Sequence, residues 1–317
     1  MCYAQEAAML NIYKTTPEGL QTLESATNGC WIKCTDPTSE EITQLKKWGI
    51  EPDLITYSLD QDEMARLERD EGYTLILLRI PHFQGETHDI PYTTIPMGII
   101  IKDNMIATIC RHESQIIQVL TNGKYSGFKT AKRYRFVLYV LLETAMRYLT
   151  YLREINRAAD HVEDQLEKST RNRELLQLLK YQKSLVYFTT ALRSNGVMME
   201  RLQRMRMFNQ YEEDEDLLED VLTENQQAIQ TTDIQTEILS STMDTFASII
   251  SNNLNVVMKV LTTLTIMVSL PTLVASFYGM NVNLPGEGNP YAFLAIFAFS
   301  LILTSTAAFI FYKRDWL

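Results

Sequence analysis

Residues 261–290 read LTTLTIMVSLPTLVASFYGMNVNLPGEGNP, and the chain then stays apolar as far as Tyr312. No charged residue falls between positions 260 and 278. As a helix rising 1.5 Å per residue, that run spans about 28 Å, close to the hydrocarbon thickness of a bilayer. Positions 291–312 form a second uncharged run of similar reach. Residues 282–290, between the two, are rich in Gly, Pro and Asn and too few for a domain, so they read as a tight turn at one membrane face. The C-terminal quarter is therefore expected to be a transmembrane hairpin: a first span at 260–281, an external loop at 282–290, a second span at 291–312 and a tail at 313–317. Lys259 precedes the first span, Lys313 and Arg314 follow the second, and the loop has no basic residue. By the positive-inside bias both termini lie in the cytoplasm. The opening MCYAQEAAML lacks the basic and long apolar regions of a secretory signal, which leaves the first span as the targeting signal of a multi-pass cell (inner) membrane protein.

The rest of the chain resembles a soluble protein. Its 317 residues carry a formal net charge of -10 and are 46% hydrophobic, an average that conceals two unlike parts. Residues 1–128 read as a cytoplasmic α/β domain, in which β-rich runs at 73–80, 95–101 and 105–110 alternate with amphipathic stretches such as SEEITQLKKW. The economical picture is a small sheet with flanking helices. From Thr130 to Pro271 there is almost no Gly or Pro; Gly196 is the exception, and breaks are expected near 168–172 and 207–216. This gives a helical hairpin region at 129–210 and a stalk helix at 211–259. Charge separates them: residues 129–206 hold sixteen of the 29 basic residues, whereas 211–258 holds none and carries eleven acids. Parallel copies of such a helix repel one another unless cations or the basic helices intervene, although a solvated acidic face accounts equally for most of these residues. The four cysteines, Cys2, Cys30, Cys34 and Cys110, fit a reducing compartment as buried thiols.

Along the first span the polar residues keep one register. Stepping back from Ser276 by alternating fours and threes meets Thr272, Ser269, Thr265, Thr262, Met258, Asn255, Ser251, Ser248, Asp244, Ser241 and Glu237. Small-residue packing between helices is one explanation of such a stripe. The other is a water-filled pore lined by symmetry-related copies of one helix, and the continuation of the stripe beyond the membrane to Asp244 and Glu237 favours it. An acid-ringed, hydroxyl-lined conduit selects cations, and one lining helix per subunit requires an oligomer.

Tyr278-Gly279-Met280-Asn281 closes the span, preceded by LPTLVASF and, further back, NVVMKVLT; the chain ends in YKRDWL. In these features the sequence resembles the CorA family of magnesium channels, clearly over residues 220–317 and in layout before that. The resemblance implies a homopentamer with cytoplasmic α/β domains above a funnel of long helices, and it implies Mg²⁺ as both cargo and regulator. Gly279, Met280 and Asn281 would form the selectivity filter. Asn255, Met258, Leu261, Thr262, Thr265, Ser269, Thr272 and Ser276 would line the pore, with Met258 and Leu261 as its apolar gate. Asp220, in LLEDVLT, falls where the family places a regulatory metal ligand; Glu86 and Asp89 in GETHD are candidate partners from an adjacent subunit. The sequence departs from the family in its loop, VNLPGEGNP, where Glu287 is the one acid available, and at Ser269, a position often apolar. Partners are thus other copies of the chain, the bilayer and divalent cations, with no nucleic acid and no organic cofactor. A Zn²⁺, Co²⁺ or Ni²⁺ transporter on the same scaffold and a non-transporting membrane-anchored sensor are the alternatives. Without a Walker loop, nucleophile elbow or clustered histidines, an enzyme is not expected.

Overall fold

The computed structural model describes residues 9–70, 72–125, 127–168, 172–205, 208, 211–280, 290–314 and 316. The chain divides into two compact units, Met1–Ser241 and Thr242–Leu317.

In the first unit, β1 (Met9–Thr16), β2 (Gly19–Leu23) and β3 (Trp31–Thr35) precede α1 (Ser39–Lys47) and α2 (Pro52–Leu59). Then come β4 (Arg66–Asp70), β5 (Tyr73–Phe83), β6 (Tyr92–Lys102), β7 (Met105–Cys110) and α3 (Gln115–Thr121). The seven strands lie in the order β2-β1-β3-β7-β6-β5-β4, all antiparallel except the β3–β7 pair. The three expected β-rich runs are the cores of β5, β6 and β7. Their continuous apolar character has a cause: the sheet is covered on both faces. Ile76, Leu78, Met97 and Ile99 share one core with Phe136 and Val140 of α4 (Arg133–Lys168) and Met199 of α5 (Asn172–Gln203). Leu75, Leu77, Ile100 and Ile109 share the other with Leu45 of α1 and Leu54 of α2. On that second face β6 comes so near α2 that a Cβ on Gly98 would stand 1.8 Å from the Ser58 hydroxyl. Glycine there serves close approach.

β5 has a gap in its ladder that α5 fills. β4 pairs no further than Leu77, so the Arg79 N–H and C=O on that side of β5 have no strand to bond. Asn195 of α5 supplies both missing partners: its Oδ1 accepts from the Arg79 N–H at 3.0 Å and its Nδ2 donates to the Arg79 carbonyl at 2.8 Å. The Tyr148 hydroxyl of α4 donates to the same carbonyl at 3.0 Å. The two long helices are thereby keyed to one residue of the sheet.

The longest helix, α6 (Glu212–Tyr278), contributes to both units, and α7 (Ala292–Lys313) completes the second. The breaks expected near 168–172 and 207–216 fall where α4, α5 and α6 end and begin. Within the first unit α6 buries Asp214, Leu218, Val221, Asn225, Ala228, Thr232 and Leu239, alternating fours and threes until a final seven. Polar ties fix it there: Arg135 bonds Asp214 and, at 2.8 Å, Glu213; Gln235 Nε2 donates to the Leu152 carbonyl at 3.2 Å; Arg193 meets Asp233 at 3.0 Å. In the second unit, the C-terminal part of α6 and all of α7 are long and apolar enough to cross a membrane.

Candidate functional site

The second unit shows which side of α6 is committed to its own chain. Thr263 and Val274 are buried, and Met267 and Leu270 are half-buried; these four repeat at alternating fours and threes. Pro271, Val274 and Ala275 face Phe293, Ile296, Phe297, Ser300, Leu301 and Thr304 of α7 across an apolar cavity of about 300 Å³. At 100° per residue, the centre of this face lies about 150° around the helix from the stripe of Thr262, Thr265, Ser269, Thr272 and Ser276. All five stripe residues are exposed, as are Asn255 and Met258. Leu261, 56% exposed, sits about 60° from the stripe's centre, at its margin. Pro271 has no N–H for the helix ladder, but it lies on the α7 side and leaves the stripe continuous.

The threonines of the stripe have a definite polarity. Thr262, Thr265 and Thr272 donate their hydroxyls to the carbonyls of Met258, Leu261 and Val268 at 2.7, 2.8 and 2.9 Å. A hydroxyl whose proton is committed to the residue four back offers only oxygen lone pairs outward. Such a surface is an acceptor of hydrogen bonds from water.

At the end of α6 the Gly279 N–H reaches the Ala275 carbonyl at 3.0 Å and that of Ser276 at 3.3 Å, while the Met280 N–H reaches Phe277 at 3.3 Å. A Cβ on Gly279 would meet nothing nearer than the Ala275 oxygen at 3.4 Å, so glycine leaves the backbone here open to approach. The C-terminal end of a helix also carries partial negative charge, which favours cations. Asn281 and Glu287 lie outside the described residues.

Toward its N-terminus the stripe runs through exposed Asp244 and Glu237, and the same alternation carried back reaches exposed Asp220. The candidate partners of Asp220 are engaged within their own chain. Glu86 accepts from the Tyr181 hydroxyl at 3.0 Å, and Asp89 pairs with Lys183 at 2.7 Å, a bond that holds the Asp89 carboxyl below its usual pKa. Among the described residues no three His, Cys, Asp or Glu side chains gather to ligate a metal directly.

Cys30, Cys34 and Cys110 are buried free thiols. Burial, with help from Glu41 and Asp36, pushes Cys34 up to about 12, which makes it inert. Two features escaped the sequence. His82 and His112 stack at 4.8 Å, brought together by the fold from positions thirty apart. An open groove also runs between α5 and α6 within the first unit, and Gly196 in the middle of a long helix was its single sequence signal.

Comparison with known proteins decides the family. Residues 27–314 match the family model described as CorA-like Mg²⁺ transporter protein. The chain belongs to the CorA family of Mg²⁺ transporters. It is 30% identical over 295 residues to a cobalt/magnesium transport protein CorA of Methanocaldococcus jannaschii, covering 90% of this chain and 91% of that one. A cobalt/magnesium transport protein CorA of Thermotoga maritima is 22% identical over 96% of this chain and 88% of its own length. The complete structure of the M. jannaschii CorA magnesium transporter superposes with a TM-score of 0.84 at 26% identity, covering 98% of this chain and 99% of the other. The expected fold, a soluble α/β domain with a long helix running into the first of two apolar C-terminal helices, is the CorA fold.

Proposed function

We propose that this CorA-family protein is a homopentameric channel that carries hydrated Mg²⁺ into the cytoplasm, with the first membrane helix of each subunit lining the pore. One observation carries this reading: the hydroxyl stripe of α6 is exposed through the membrane span and lies about 150° from the face that α7 covers. A lone hairpin in lipid has no use for such a face, whereas a ring of copies turns it toward water.

Mg²⁺ surrenders its waters reluctantly, so selection is expected to act on the hydration shell. Asn281 offers a side-chain carbonyl to that shell and Gly279 its backbone carbonyl, while Met280, 52% exposed in the single chain, completes the motif. Below the filter, the lone pairs of Thr272, Ser269, Thr265 and Thr262 accept from the moving shell, and Asn255, Asp244 and Glu237 continue the path. A divalent ion crossing 100 mV gains about 4.6 kcal/mol, so inward flow needs no pump. Met258 and Leu261 form the constriction that closes by dewetting. Mg²⁺ bound at Asp220 on the cytoplasmic side favours closure, which it can do only by binding the closed state more tightly. Both termini are cytoplasmic in this arrangement. Cobalt in the names of both curated relatives supports Co²⁺ as a second cargo.

The test is Mg²⁺ uptake into liposomes holding a Mg²⁺-sensitive dye, driven by an inside-negative potential. Uptake by the wild type and its near-abolition in a correctly inserted Asn281→Ala oligomer is the expected result. No uptake by the wild type would refute transport, and undiminished uptake by the variant would refute the filter.

A further inference from the structure

A cavity of about 170 Å³ lies in the first unit, where the C-terminal end of β5 and the turn from β7 into α3 meet α4. Transport as described above gives it no part. Its walls belong to the folded core: Ile80, Ile95, Ser114, Ile116 and Tyr151 are each at most 9% exposed. At a water's share of about 30 Å³, it holds about six water volumes, enough for a small molecule and too little for a nucleotide.

The cavity carries one uncompensated charge. Arg147 of α4 is half-buried, with its guanidinium carbon 5.8 Å from the centroid of the Tyr151 ring, and among the described residues no carboxylate pairs with it. Glu113 also lines the space, but Lys33, which does not, neutralises it at 2.6 Å. Burial, and then the neighbouring His112, keeps the pKa of His82 below its ordinary 6.5, so this third member of the wall is uncharged at neutral pH. Donors surround the guanidinium. Ser114 Oγ accepts from the Ile116 N–H at 3.2 Å, which leaves its proton to give. His82 brings a ring N–H, and exposed Gln115 brings an amide.

These features narrow the ligand. An unpaired, half-buried guanidinium attracts an oxyanion, which its fork grips with two parallel N–H···O bonds. A metal cation would be repelled by the same charge. A phosphate group carries about −1.5 to −2 charges and asks for a second cation that the wall lacks. A carboxylate asks for one, and the apolar surface of Ile80, Ile95 and Ile116 suits a short carbon chain behind it. We propose that this cavity is a binding site for a small monocarboxylate, its carboxylate on Arg147 and its carbon chain against the three isoleucines. Occupied, the site ties the turn before α3 to α4.

The test is a ligand-detected NMR titration of the full-length protein in detergent with propionate, at ionic strength held constant with chloride. The wild type should bind propionate saturably, and inorganic phosphate more weakly. Arg147→Met keeps the aliphatic stem and removes the charge, so binding should weaken by about tenfold or more. Gln115→Glu keeps the shape of an exposed side chain and puts a negative charge on the wall, in a first helical turn that tolerates acids, and should also weaken binding. If Arg147→Met does not fold, Gln115→Glu decides alone. No saturable binding by the wild type, tighter binding of phosphate than of propionate, or undiminished binding in either folded variant would overturn the site.

Discussion

Replacing Thr272 by valine isolates the oxygen on which the pore reading depends. Valine keeps the β-branched shape and has nearly the same helix propensity, so the span should insert and assemble as before. The only proton lost is the one that Thr272 gives to the Val268 carbonyl at 2.9 Å, an acceptor that the ordinary helix ladder also serves. What changes is the outward face, where a lone-pair acceptor becomes a methyl group. A net hydrogen bond is worth about 0.5–1.5 kcal/mol, and a ring of copies loses it from every subunit at once. If the passing hydration shell touches one or two such oxygens at its barrier, the barrier rises by about 0.5–3 kcal/mol, and 1.4 kcal/mol corresponds to about a tenfold change in rate. The control is Thr306→Val on α7, whose hydroxyl makes the same bond, to the Ile302 carbonyl at 2.7 Å, but lies on the other helix. Initial Mg²⁺ uptake into dye-loaded liposomes, normalised to inserted protein, should fall on the order of tenfold for Thr272→Val and stay at wild-type level for Thr306→Val. Equal rates for both variants and the wild type would refute the water-facing assignment of the stripe.

Single cysteines at Thr272 and Asn255 should react with water-soluble thiol reagents in the membrane, and cysteines at Val268 and Leu273 should not; equal labelling at all four would mark the stripe as a packing seam. Millimolar Mg²⁺ should protect the cytoplasmic part of the wild type from protease and protect Asp220→Ala less, and identical protection would reduce Asp220 to part of a solvated face. Burial, and then the neighbouring His112, holds His82 below its ordinary 6.5, so the folded state resists its protonation. The associated stability is complete above the unfolded value and is lost as pH falls through the folded one; thermal melting should therefore occur lower at about pH 5.5 than at about pH 7.5, and the difference should shrink in His82→Asn.

The parts of the fold legible in the sequence are those whose pattern is local. β5, β6 and β7 announce themselves because strands covered on both faces must be apolar throughout, and the long helices because Gly and Pro vanish from them. β4 is different. Its sequence, RLERD, favours a helix on propensity, yet it forms the exposed edge of the sheet because β5 offers a free ladder from Tyr73 to Leu77, and charged residues suit an edge. The stripe on α6 was readable as a period, since a period belongs to one segment. Which face α7 would cover was not, because that depends on Phe293, Phe297 and Ser300 arriving from another helix. The Asn195 clasp on Arg79 and the cavity at Arg147 were invisible for the same reason: each joins residues whose proximity only the assembled fold creates.

In the proposed pore, the back-bonded threonines of α6 bear on the sign of the ions admitted. Thr262, Thr265 and Thr272 hold their protons against their own backbone, so these three side chains offer an approaching anion oxygens and no hydroxyl donor. On the proposed pore lining, these uncharged threonines favour cations over chloride. Carboxylate rings lose their grip once acid protonates them, whereas an aliphatic hydroxyl has no ionisation to lose across the physiological range. Such a lining keeps its preference for cations in an acidified medium without placing a single formal charge inside the bilayer.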